Sequence, residues 1–233
     1  YGQYIRVPAS WVVKKPENYS LKDCMAIGTA GFTAASAVYK MELMRLQPGT
    51  GPIVVTGATG GVGSMAISIL SKAGYEVIAV SGKSNAQEYV QHLGANRLET
   101  REFVDDTSKK ALLKPKWAGA VDTVGGNTLA TLLKGCMPEG SVVSTGLVAS
   151  AKLDTTVYPF ILNGVNLLGI GSAETPMEVR MTIWEKLSTE WNIKDKIPAI
   201  AKEVTLEELN NTYFDNILQG KIMGRIVVNL NNL

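Results

Sequence analysis

Residues 55–63 read Val-Thr-Gly-Ala-Thr-Gly-Gly-Val-Gly, and glycines at this spacing can bring main-chain amides against a polyphosphate that side chains would keep away. The related fingerprint is Gly-x-Gly-x-x-Gly between a parallel strand and a helix, where the helix dipole faces the pyrophosphate of a dinucleotide. Gly60 can let the backbone approach the phosphates, and Gly63 can let the helix pack tightly on the strand. The sharp first turn falls to Ala58, with Gly57 beside it. Turns of this kind also join strands and helices that bind nothing, so the flanking sequence has to decide.

The second informative position lies about 20 residues on, at the end of the next strand, where NAD-binding sheets place an acid for the ribose hydroxyls. Here Ser81, Gly82, Lys83 and Ser84 stand without a carboxylate. A lysine flanked by hydroxyls suits a 2′-phosphate, so the expected cofactor is NADP(H). The competing reading is a polar turn with Ser84 as a helix cap and Lys83 as a solvated surface residue. Gly82-Lys83-Ser84 does not complete a P-loop, because Val77 stands at the required first glycine. A short-chain dehydrogenase would show Tyr-x-x-x-Lys, and no tyrosine here has lysine four residues on.

The elements that must hold these residues follow from periodicity. Ile53 to Thr56 is an apolar strand pattern, while Val62, Met65, Ala66, Ile69, Leu70 and Ala73 recur at helical spacing up to Gly74. Glu76 to Val80 reads as the second strand. Ser84-x-x-Gln87 has capping-box form before a helix that ends at Gly94. Further strands are expected at Ala118 to Val124, Ser141 to Thr145 and Leu167 to Ile170, and a helix at Thr29 to Met44. Thr175-Pro176-Met177-Glu178 predicts a capped helix with Val179, Ile183 and Leu187 inward. Thr205-Leu206-Glu207-Glu208 predicts another, closed by Gly220 and followed by a strand at Ile222 to Leu230 that can accompany a strand at Tyr1 to Val13. Strands alternating with helices argue for an α/β, doubly wound parallel sheet with ligand at the strands' carboxyl ends.

With 233 residues and 45% hydrophobic content, the chain can bury a large core. Its 23 basic and 21 acidic residues are well mixed, which gives no footprint for nucleic acid or membrane. No apolar run approaches the about 20 residues of a membrane span, and a cytoplasmic protein is expected. Cys24, Cys136 and the single histidine, His92, form no metal-ligand spacing. His92 falls near a helix carboxyl end, where the dipole favours it.

The chain resembles the medium-chain dehydrogenase/reductase superfamily, in its zinc-independent quinone-oxidoreductase-like branch that includes NADPH-dependent acrylyl-CoA reductases. The resemblance rests on residues 28–34 (Gly-Thr-Ala-Gly-Phe-Thr-Ala), 55–63 and 122–126 (Asp-Thr-Val-Gly-Gly), with support from Pro159 to Leu162, Leu168 to Ile170 and Gly224 to Val228. It implies a Rossmann sheet with remnants of a mostly β GroES-like catalytic domain. The implied division is 1–23 as the end of that domain, 24–172 as the NADP-binding domain and 173–233 as a helix and return to the catalytic domain. It implies a cradle at Thr59, Gly60, Gly61 and Val62, and a 2′-phosphate site at Ser81, Gly82 and Lys83 with Arg101 on the adenosine side. Leu147 and Ile161 would line the nicotinamide end, and core packing is their competing role.

Members of this branch carry about 100 more residues before the point matching Tyr1, enough for most of a separate domain. A chain beginning at Tyr1 is therefore expected to be a fragment that binds cofactor while lacking one wall of the cleft. For the intact enzyme the implied reaction is zinc-independent hydride transfer from NADPH to a conjugated carbonyl, such as acrylyl-CoA, a quinone or a 2-alkenal. No proton donor or other catalytic residue is assigned. The alternative is a catalytically silent NADP-binding module with a redox-linked regulatory role. A homodimer is expected, joined along the edge near Leu167 to Ile170, since an exposed strand edge has reason to be covered.

Overall fold

The computed structural model describes residues 2 and 4–230. Ser20 opens α1 (Leu21–Leu43) through a reciprocal capping box with Asp23: each backbone N–H donates to the other's side chain, at 3.1 and 2.8 Å. The helix therefore starts well before Thr29, and Gly28 (φ 45°, ψ −151°) kinks it at the start of the small-residue stretch. The alternating pattern then resolves into β1 (Ile53–Thr56), α2 (Gly61–Lys72), β2 (Val77–Val80), α3 (Gln87–Leu93) and β3 (Arg97–Glu99). β4 (Trp117–Asp122), α4 (Gly126–Lys134), β5 (Cys136–Ser144), α5 (Tyr158–Asn163) and β6 (Asn166–Gly169) follow.

These six strands form one parallel sheet in the order β3-β2-β1-β4-β5-β6, which is the doubly wound order expected for a dinucleotide fold. Every residue of β1, β2 and β4 is buried. Alternate side chains feed two cores: Ile53, Val55, Val77, Ala79 and Val121 pack with α1 and α2, while Val54, Ile78, Val80 and Ala120 pack with Leu129, Leu132 and Leu133 of α4. Burial on both faces explains why these strands read as continuous apolar runs. The strand order reverses between β1 and β4. The crevice beyond their carboxyl ends is where such sheets bind ligand.

Beyond the sheet come α6 (Met177–Ser188), α7 (Ile197–Ile200), β7 (Ala201–Thr205) and α8 (Leu206–Glu208). A π-helical turn, Leu209–Tyr213, joins α8 to α9 (Phe214–Leu218), and β8 (Arg225–Asn229) ends the described chain. Thr205 and Glu208 form the expected capping box, and Gly220 closes the helical stretch at φ 65°.

Several local expectations are corrected. Ser84 caps nothing, because α3 begins three residues later, at Gln87, behind Ala86 as its N-cap. Pro176 is itself the N-cap of α6, and Thr175 donates instead to Gly171 O at 3.2 Å. The last strand pairs in parallel with β7, not with the amino-terminal segment. That segment forms no strand among the described residues: it holds a 3-10 turn at Ala9–Trp11 and is largely exposed. Extended sequence becomes a strand only where a ladder partner meets it. Residues 1 and 3 of the expected strand lie outside the described residues.

Candidate nucleotide-binding site

The turn after β1 depends on Gly57, whose φ of +57° suits a residue without Cβ. A Cβ there would also strike Thr123 Oγ1. The sharp-turn task given above to Ala58 thus belongs to Gly57. Ala58 is buried, and its N–H donates to Val80 O at 3.1 Å. A Cβ on Gly63 would collide with the backbone of Gly57 and Ala58, so α2 can approach β1 this closely only with glycine here. Gly60, the exposed N-cap of α2, has only Gly57 O near its Cβ direction, at 3.3 Å. The first amides of α2, from Gly61, Val62 and Gly63, lie at its amino end, where a helix has no partners of its own for them. Thr59 is buried beside them.

Arg225, at the start of β8, reaches this helix end. A Cβ on Gly61 would lie 3.2 Å from its Nη1 and one on Gly28 would lie 3.0 Å from its Nη2. Its Nε is buried without a hydrogen-bond partner, and burial pulls the guanidinium below its usual pKa. A half-buried cation placed beside the free amides of a helix end is chemically matched to a diphosphate. The cradle thus fits the pyrophosphate of a dinucleotide. Sequence reasoning passed over Arg225, although Gly224-Arg225 was visible; the missing information was that residues 224–225 return across the glycine turn.

The carboxyl end of β4 completes the floor. Asp122 is fully buried and accepts from Thr56 Oγ1 at 2.6 Å, Gly125 N at 2.8 Å and Val124 N at 3.2 Å. Burial raises its pKa, while these three donors pull the other way. Thr123 N donates to Thr56 Oγ1 at 3.0 Å and Thr145 Oγ1 to Asp122 O at 2.9 Å. The network ties the ends of β1, β4 and β5 together and fixes both turns that frame the crevice.

At the end of β2, the structure brings Ser81, Gly82, Lys83 and Arg101 together. Arg101 lies so close over Gly82 that a Cβ there would meet its guanidinium. Ser81 is buried, and its Oγ accepts from Lys83 N at 3.2 Å. Lys83 Nζ donates to Ile222 O at 2.6 Å, and burial lowers its pKa. The carboxylate of neighbouring Glu99 is paired with Arg97 at 3.1 Å. Two cations and a hydroxyl therefore gather where an NAD site would place its acid.

Leu147 and Ile161 are not core residues. They are 65% and 68% exposed, with Val148, Val157, Tyr158 and Leu162 also exposed. Leu147 follows β5 at the carboxyl edge of the sheet, and Ile161 lies on α5. Among the described residues no three His, Cys, Asp or Glu side chains gather as a metal site, and no helix is long and apolar enough to cross a membrane.

The family described as zinc-binding dehydrogenase matches residues 61–188. The putative quinone oxidoreductase YhfP of Bacillus subtilis is 47% identical over 98% of this chain and 69% of its own length. Its crystal structure with NAD bound matches with a TM-score of 0.91 at 48% identity, over 96% of this chain and 68% of that one. The acrylyl-CoA reductase AcuI of Ruegeria pomeroyi is 44% identical over 99% of this chain and 69% of its own length. The crystal structure of Escherichia coli K-12 YhdH with bound NADPH matches with a TM-score of 0.91 at 41% identity, covering 97% of this chain and 69% of that one.

Proposed function

We propose, for a chain that belongs to the zinc-binding dehydrogenase family and to its zinc-independent quinone oxidoreductase and acrylyl-CoA reductase branch, an NADPH-dependent reduction of a conjugated carbonyl. The observation that carries this reading is Arg225 over the glycine turn, half-buried, with its Nε enclosed and without a hydrogen-bond partner. Thr59, Gly60, Gly61 and Val62 cradle the pyrophosphate, with Arg225 neutralising its charge. Ser81, Gly82, Lys83 and Arg101 hold the ribose 2′-phosphate. When bound, the nicotinamide would supply hydride from its C4 position to the β-carbon of the conjugated carbonyl, and the enolate charge left on the carbonyl oxygen would be discharged by protonation at the α-carbon.

Leu147 and Ile161 support the nicotinamide end by offering apolar surface that is otherwise exposed. Such surface orients the ring and excludes water, and orientation alone can lower a barrier by about 7 kcal/mol or more. The domain division follows from the same reading: residues 24–172 form the cofactor-binding sheet and its helices, while 1–23 and 173–233, including the β7-β8 pair from which Arg225 reaches the cradle, belong to the catalytic side of the cleft. Exposure of Leu167 on edge strand β6 supports a homodimer joined there, and the lack of a membrane-length helix among the described residues accords with a cytoplasmic location. The silent-module alternative is not favoured by relatives that carry reductase names.

The test is steady-state NADPH oxidation by the product of the complete reading frame with acrylyl-CoA, a quinone and a 2-alkenal. Turnover of one of these supports the reading and selects the substrate. NADPH binding with no turnover of any would overturn the reading in favour of the silent module.

A further inference from the structure

The segment from Gly220 to Arg225 crosses both phosphate-facing turns. Gly224 N–H donates to Thr59 O at 2.8 Å, inside the cradle. Lys83 Nζ donates to Ile222 O at 2.6 Å, at the end of β2. Gly224 has φ +73°, and a Cβ there would strike Ile200 O and lie 2.9 Å from Tyr89 Oη. Tyr89 is in turn hydrogen bonded to Ser64 of α2 at 2.8 Å. The strap is thus threaded tightly at Gly224, whereas Ile222 is tethered to the site through one lysine.

That lysine is the group assigned to the 2′-phosphate. A half-buried ammonium needs an acceptor, and in this structure a main-chain carbonyl supplies it. The bond to the carbonyl carries charge on the donor side only, whereas a phosphate oxygen brings the opposite charge as well, so Coulomb attraction favours the phosphate. We propose that the Ile222 carbonyl is a specificity-determining group that competes with the cofactor's 2′-phosphate for Lys83. With NADP(H) the ammonium moves to the phosphate and the strap loses its tether at Ile222. With NAD(H) the ammonium stays on Ile222, the half-buried cation keeps its acceptor, and the strap remains closed. The carbonyl thereby narrows the gap between the two cofactors, because the enzyme without a 2′-phosphate still satisfies its lysine.

This inference rests on the NADP(H) reading of Ser81 to Lys83 and adds the strap to it. The experiment is amide hydrogen exchange, followed by mass spectrometry on peptides covering residues 219–225, at saturating NADPH and at saturating NADH. Both cofactors carry the pyrophosphate that Arg225 faces, so the pair isolates the 2′-phosphate. Loss of one tethering bond is expected to speed strap exchange about fivefold in the NADPH complex relative to the NADH complex. In Lys83→Met the two complexes should exchange alike, both at the faster rate. Equal or slower strap exchange with NADPH in the wild type, while affinity still favours NADPH over NADH, overturns the competition and leaves the cofactor reading standing. A wild type with no preference for NADPH overturns both.

Discussion

The two ends of the crevice are built from opposite materials. The end proposed for the adenosine gathers Ser81, Lys83 and Arg101 around a glycine, with the lysine half-buried and already hydrogen bonded. The end proposed for the nicotinamide presents Leu147, Val148 and Ile161 with most of their surface bare. Polar groups must be held in place before they recognise anything, since an unpaired buried cation is costly. Apolar groups need no partner until a ring or a substrate covers them. On the function proposed above, affinity and cofactor choice would belong to the first end, and alignment for hydride transfer to the second.

Between these ends lies the glycine turn, which both require, so the largest effect should come from breaking it. Gly63→Val places side-chain atoms against the backbone of Gly57 and Ala58, which cannot yield as a flexible side chain would. We expect a loss of about 2 to 4 kcal/mol in stability from overpacking. Binding of NADPH and NADH should fall together, by two orders of magnitude or about 2.7 kcal/mol. Thermal denaturation and isothermal titration calorimetry check the two parts. Retained affinity for either cofactor would show that the turn is only a packing device.

Arg225→Met separates binding from folding. Arg225 is half-buried with its Nε enclosed and unpartnered, and replacing an enclosed, unpartnered polar group by an apolar side chain removes a desolvation cost. The melting temperature should hold or rise. Affinity for NADPH and for NADH should each drop about tenfold to a hundredfold, because a charged hydrogen bond contributes about 1.5 to 3 kcal/mol. A drop confined to NADPH would move Arg225 from the pyrophosphate to the 2′-phosphate and erase the distinction between centre and adenosine end.

How much of this was legible in sequence depends on whether the determinant is local. The β1, β2 and β4 patterns, the glycine turn and the Thr205 capping box announced themselves, because each is decided within a few residues. The short β3 was not foreseen: Arg97-Leu98-Glu99 has no distinctive pattern and becomes a strand by pairing with β2. β7 likewise exists through its pairing with β8. The Ser84 box failed because a local signal was available and the chain turned once more before Gln87. Arg225 was missed for a related reason: its place over Gly28 and Gly61 is set by a return of the chain that no spacing records.

Lys83→Glu sharpens the comparison at the adenosine end. The substitution replaces the attraction for a 2′-phosphate with repulsion and provides a carboxylate that can meet ribose hydroxyls, so NADPH affinity should fall at least about tenfold. NADH affinity should hold or improve. Competition binding with both cofactors measures the ratio, and a wild type that prefers NADH would remove the basis for the expectation.

The smallest effects should come from the nicotinamide end. Leu147→Ala and Ile161→Ala remove side chains that are 65% and 68% exposed, so each should change stability by less than about 0.5 kcal/mol. Equilibrium affinity for NADPH should also change little, since the phosphates dominate binding at the other end. If these residues orient the ring, their loss should appear in the hydride step, read as a severalfold fall in single-turnover rate that the double variant enlarges. Misplacement of reacting atoms is felt in rate before affinity. An unchanged rate combined with a loss of dimer would reassign this apolar surface to the neighbouring β6 edge and leave the chemistry end of the crevice without an identified lining.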